Sequence, residues 1–122
     1  MPIQFVFPMP PNLTNRASGR SHWRVIHREK KQYAAQLDAL QAAGMLPRPP
    51  ASPFTKVRIT STMYLGARMD VDNAIARHKV ALDWLATRGY VVNDCNVEWS
   101  EFPRQIVRRG QEYRIAITME AA

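Results

Sequence analysis

From Lys56 to Leu65 the chain reads KVRITSTMYL, and beyond Asp72 its apolar period changes from two to between three and four. Val57, Ile59, Ser61, Met63 and Leu65 fall on one face of an extended segment, with Lys56, Arg58, Thr60, Thr62 and Tyr64 on the other. Gly66 ends that strand. Ile75, His78, Leu82 and Leu85 then repeat at steps of three and four, and Gly89 closes the helix they define. Val97 to Ile106 follows as a further strand with imperfect alternation, and Pro103 marks it as an edge or a bulge. A strand, an amphipathic helix and a strand in that order predict a βαβ unit, with the helix packed on a sheet.

The other segments build around this unit. Ile3 to Phe7 alternates as a first strand. Trp23, Ile26, Tyr33, Leu37 and Leu40 share helical spacing and predict a helix from about His22 to Ala43, with Ser21 as N-cap and Gly44 as stop. Such a helix is about 33 Å long. LPRPPASP, Leu46 to Pro53, carries four prolines in eight residues and reads as an extended connector, too short to separate two domains. VRRGQE is a turn, and YRIAITM is a last strand with Tyr113, Ile115, Ile117 and Met119 on one face. The expectation is one α+β domain over residues 1–122, a mixed sheet of about four strands with two packed helices in the order β-α-β-α-β-β.

Charge narrows the partners. The 122 residues hold 17 Lys and Arg against 10 Asp and Glu, a net charge of +7. That balance modestly favours a polyanion, either nucleic acid or an anionic membrane surface, over the plainer reading of a basic surface kept for solubility. No apolar run approaches the roughly 18–20 residues that span a bilayer. The opening MPIQFVFPMPP has no basic n-region and is broken by proline, so a secretory signal is not expected. Cys95 is the one cysteine, and no Cys/His cluster has zinc spacing, which fits a reducing cytoplasm.

Against that basic background, three acids flank the second helix. Asp70 follows the strand, Asp72 opens the helix, and Asp94 lies in the turn before the next strand. If the end of one strand and the start of the next lie close, three carboxylates converge, and Mg²⁺ or Mn²⁺ would relieve their mutual repulsion. The plainer reading makes Asp72 a helix cap and the other two ordinary turn residues. Asp-x-Asp alone does not decide between them. Lys79 comes seven residues after Asp72, within about 20° of the same face of a regular helix. It can serve a phosphate there, or pair with Asp83 at i,i+4. His78 fits the apolar stripe and reads as a packed histidine rather than a ligand or base. Arg16, Arg20, Arg24, Arg28, Lys30 and Lys31 crowd the first loop and the front of the first helix, where positive charge opposes the helix dipole. Lys30 interrupts the apolar stripe, either as a snorkelling lysine or as a phosphate contact. Arg104, Arg108 and Arg109 form a second basic group.

Taken together, these residues make the chain resemble the RusA family of Holliday junction resolvases, over nearly its whole length. The likeness includes the first strand followed by Pro10, Pro11 and Asn15, the basic helix start SHWRV, and Asp-x-Asp-Asn at Asp70, Asp72 and Asn73. It continues through KVALDWL, a glycine turn and an acid before CNV. The resemblance implies that Asp70, Asp72 and Asp94 bind Mg²⁺ (Mn²⁺ as a substitute) and that Lys79 is needed for cleavage. It also implies a homodimer that nicks opposed strands of a four-way DNA junction in recombination and repair, encoded by a phage or prophage and acting in the bacterial cytoplasm. DNA contacts are then expected from Asn15, Arg16, Arg20, Arg24, Arg28, Lys30, Lys31 and Arg68. Two features depart from the family pattern. Asn93 stands where members often have a second acid, and the lysine follows Asp72 by seven residues rather than four, about one turn or 5 Å further along the axis. A broader branched-DNA or flap nuclease, and a DNA-binding protein without activity, are the alternative expectations.

Overall fold

A computed structural model describes the backbone of residues 2–12 and 20–122, and the side chains of these apart from 20–22. The elements run β1 (Ile3–Pro8), α1 (Arg20–Ala42), β2 (Val57–Leu65), α2 (Val71–Arg77), α3 (Lys79–Thr87), a 3-10 turn (Asp94–Asn96), β3 (Val97–Trp99), β4 (Arg104–Val107) and β5 (Arg114–Ala121). The fold is α+β, as the periodicities imply, with a mixed five-stranded sheet in the order β1-β5-β2-β3 and β4 beside β2. The five strands agree with the expectation of about four. The fifth arises because the segment Val97–Ile106 splits around Pro103, which is buried and has no N–H to give the ladder. β3 and β4 therefore share the same edge of β2, both parallel to it, through Val57–Val97 and Leu65–Val107.

β2 is the centre of the sheet. Its other edge pairs antiparallel with β5, Ile59 opposite Met119 and Met63 opposite Ile115, and β5 pairs in turn with β1, Phe5 opposite Ile117. The alternation seen in the sequence becomes a buried face, on which Val57, Ile59, Met63, Leu65, Ile115, Ile117, Met119, Phe5 and Phe7 join one core with Leu37, Trp84, Leu85 and Tyr90. Tyr113 does not join them. It precedes β5, is 53 % exposed, and its hydroxyl lies where a side chain at Gly66 would stand.

Two expectations about helices are corrected. Ser21 is already helical within α1 (Arg20–Ala42) and so is not its cap. Its apolar stripe is packed only where neighbours reach it. Tyr33 and Leu37 are buried, while Trp23 is 65 % exposed. The reach is set by contacts to the second half of the helix. Tyr33 donates to the Pro8 carbonyl at 2.7 Å, and Asp38 accepts from Trp84 at 2.8 Å and from Arg88 through both oxygens at 2.6 Å. Lys30, also on α1, is exposed and so does not interrupt the core.

The second helix is not continuous. His78 separates α2 from α3, and its own side chain is the cause. Nδ1 lies 2.7 Å from the Ala74 carbonyl, the group that the His78 backbone N–H would take in a regular helix. That N–H bonds the Ile75 carbonyl instead, at 3.1 Å, which tightens the turn. A carbonyl only accepts, so Nδ1 carries the proton. Nε2 is then the acceptor for the Ser61 hydroxyl at 2.6 Å. His78 is fully buried, with the Trp99 ring edge-on at 4.9 Å, and burial pushes its pKa down to about 4. It is the packed, neutral histidine that its place in the apolar stripe suggests.

Candidate functional site

The crossover from β2 through α2 and α3 to β3 carries the acids. Asp70 stands at the N-cap position of α2 in extended backbone, yet its carboxylate makes no capping bond, and Asp72 lies in the first turn beside it. Both are exposed. A capping explanation of Asp70 therefore lacks the bond that would justify it. Asp70 is positioned from the other side of the sheet edge. Gln105 of β4 accepts from the Met69 N–H and donates to the Met69 carbonyl, both at 2.9 Å, much as a neighbouring strand would. Nothing in the sequence marks Gln105 for this task, because its partner is 36 residues away. Arg77 is a second support. Its Nε donates to the Pro10 carbonyl at 2.7 Å, which ties the proline-rich segment after β1 to α2, and burial lowers its pKa.

Asp94 opens the 3-10 turn before β3. Asn93 caps that turn by accepting from the Cys95 N–H at 3.1 Å. Lys79 reaches across from the first residue of α3 and donates to Asp94, and also to Asp83 at 3.0 Å. The i,i+4 pair and the longer-range partner thus both hold. The three groups perturb one another. The Lys79 ammonium pulls the Asp94 carboxyl below the usual carboxylate range, and the two acids raise the lysine, Asp94 most. Asp83 moves the other way, because burial outweighs the attraction of Lys79.

The structure brings Lys79 to Asp94. It does not bring Asp70 and Asp72 into one group with Asp94: among the described residues, no three His, Cys, Asp or Glu side chains stand in a metal-holding arrangement. The parallel register explains the spacing. Val97, three residues after Asp94, pairs with Val57 at the start of β2, whereas Asp70 follows the end of that strand. A parallel crossover carries the chain back along the sheet, so the end of one strand and the start of the next fall at opposite ends of the pair.

Of the expected DNA contacts, Arg24, Arg28, Lys30 and Lys31 line the exposed part of α1, and Arg68 is exposed in the turn after β2. Asn15, Arg16 and the Arg20 side chain lie outside the described residues. Arg104 pairs with Glu101 at 3.0 Å. No helix among the described residues is long and apolar enough to cross a membrane. Comparison with protein-family models finds none that matches the chain, and a search of curated proteins likewise finds no match.

Proposed function

We propose that the protein is a Mg²⁺-dependent endodeoxyribonuclease that acts on branched DNA, resolving four-way junctions by paired nicks as a homodimer in the cytoplasm of a bacterial host. The observation that carries this reading is the contact between Lys79 and Asp94, 15 residues apart. Local sequence rules account for the pair with Asp83 but not for this one. The family resemblance assigns Lys79 and Asp94 to a single site on independent grounds. The exposed Asp70, which makes no capping bond, the exposed Asp72 and the basic stretch on α1 support the same reading.

An ammonium has three donors, and two of those of Lys79 are engaged by acids. The third is available to a phosphate oxygen, where a fixed positive charge stabilises the charge that develops as the ester bond breaks. Arg24, Arg28, Lys30, Lys31 and Arg68 would hold the backbone, a contact without sequence information. Carboxylate oxygens suit Mg²⁺ and Mn²⁺. As the side chains stand, Asp70, Asp72 and Asp94 do not make one coordination shell.

The test is a cleavage gel with labelled four-way junction, flap and linear duplex, each with Mg²⁺, Mn²⁺ or chelator. Paired nicks confined to the junction, dependent on the ion and leaving 5′-phosphates, are expected. Equal cutting of all three substrates would replace the reading with a general nuclease. Tight junction binding with no cutting in either ion would replace it with a DNA-binding protein.

A further inference from the structure

The front half of α1 leaves the core and carries Trp23 with it. An exposed tryptophan is ordinary by itself. This one is not isolated. Its ring lies nearly parallel to the His27 imidazole, 8° between planes and 5.4 Å between centres, and among the described residues no other ring meets it. Along the same side of the helix, Arg24, Arg28 and Lys31 border a shallow groove of about 400 Å³ that contains no acid. His27 and Lys31 also line a second groove, between α1 and α3, of about 490 Å³, whose far wall includes Asp83 of the Lys79 cluster.

Three occupants could cover such a surface. A second copy of the chain related by a two-fold axis would set the same patch against itself, so that Arg24, Arg28 and Lys31 would face the same set of cations with no acid between them. An acidic peptide would answer the cations but leave the paired flat rings without a partner. A nucleic-acid strand answers both, with phosphates on the cations and a base on the indole face, since every base has a π-face and stacking tolerates any sequence. We infer that Trp23 and His27 form a stacking platform for an unpaired base of a DNA strand, whose backbone lies along Arg24, Arg28 and Lys31 and leads through the second groove toward the Lys79–Asp83–Asp94 cluster. The inference rests on the branched-DNA reading, because branch points are where bases leave the stack, but its test needs no cleavage.

The full-length chain is titrated, with chelator present, into a fluorescein-labelled oligothymidylate of about 12 nucleotides and into a duplex of the same length, and anisotropy is read at several salt concentrations. Trp23→Ala should weaken the oligothymidylate by on the order of tenfold to a hundredfold, the usual contribution of one stacked base. Duplex affinity should change by less than about twofold, and Trp23→Phe should keep most of the single-strand affinity, since phenylalanine still offers a π-face. The salt slope should stay as in the unaltered protein for both variants, because no cation is removed, and should fall for the Arg24→Ala, Arg28→Ala double variant. Far-UV circular dichroism checks that α1 is intact. Unchanged oligothymidylate affinity in Trp23→Ala overturns the inference, as does an equal loss on duplex. So does conversion of a dimer to a monomer by Trp23→Ala in light scattering, which would make the platform a subunit interface. If the platform behaves as expected and no junction is ever cut, the nuclease reading fails and the inference stands; if junctions are cut and Trp23 is silent, the reverse holds.

Discussion

His78 offers a sharp physical test, because its environment sets a number. The imidazole is buried, its Nδ1 proton is held by the Ala74 carbonyl, and its Nε2 accepts from Ser61. Its pKa falls from 6.5 in the unfolded chain to about 4 in the fold, chiefly through burial. Above 6.5 both states are neutral and the group adds no pH dependence. As the pH drops between 6.5 and 4, the unfolded chain takes up a proton that the folded one refuses, so stability is lost across that window and the loss levels off below it. A tenfold difference in proton affinity is worth about 1.4 kcal/mol, which makes the full loss about 3 kcal/mol. Urea midpoints measured from pH ~7.5 to ~4 should fall by roughly 1–3 M on this account, taking a slope of about 1–3 kcal/mol/M. His78→Gln cannot be protonated in this range, and its midpoint should show that much less pH dependence, from a lower starting stability. NMR of the wild-type ring would give the titration directly. Equal pH dependence in the two proteins, or a His78 imidazole titrating near 6.5, would refute the assigned hydrogen bonds and with them the explanation of the break between α2 and α3.

Asp70→Asn, Asp72→Asn and Asp94→Asn should each abolish junction cleavage on a gel while leaving junction affinity in a mobility-shift assay nearly unchanged; full activity in any one removes that residue from the site. Lys79→Ala should slow single-turnover cleavage by about 10²–10³, with Lys79→Arg restoring only part, because the guanidinium has a different donor geometry. Its cost in stability should stay within about 1 kcal/mol by thermal melting, since the lysine is 60 % exposed and its ion pairs are solvated. Light scattering of the free protein and of its junction complex should give twice the 14.0 kDa chain mass per particle of protein, and a monomer in both states would contradict the two-fold symmetry that paired nicks need.

The α+β class and the βαβ unit were legible in the sequence because they depend on local period. Alternation from Val57 to Leu65 and from Arg114 to Met119 gives each strand one buried face whatever it pairs with, and Gly44 and Gly89 end their helices in backbone with φ of 77° and 87°. His78 could likewise be read as packed, since it falls on the apolar stripe. The rest was set by contacts between distant segments. Trp23 continues the stripe of α1 but stands beyond the reach of Asp38 and Tyr33, whose partners fix where the helix touches the domain. One side-chain bond from His78 to its own helix, secured by Ser61 on β2, breaks a period that looked continuous. Lys79 had Asp83 in view from its spacing alone, whereas its contact with Asp94 depends on the parallel crossover. The same crossover kept Asp70 and Asp72 apart from Asp94 in the described arrangement. Periodicity reports which face of a segment is dry; the path of the chain decides which polar groups meet, because a charge finds its partner across space rather than along the sequence.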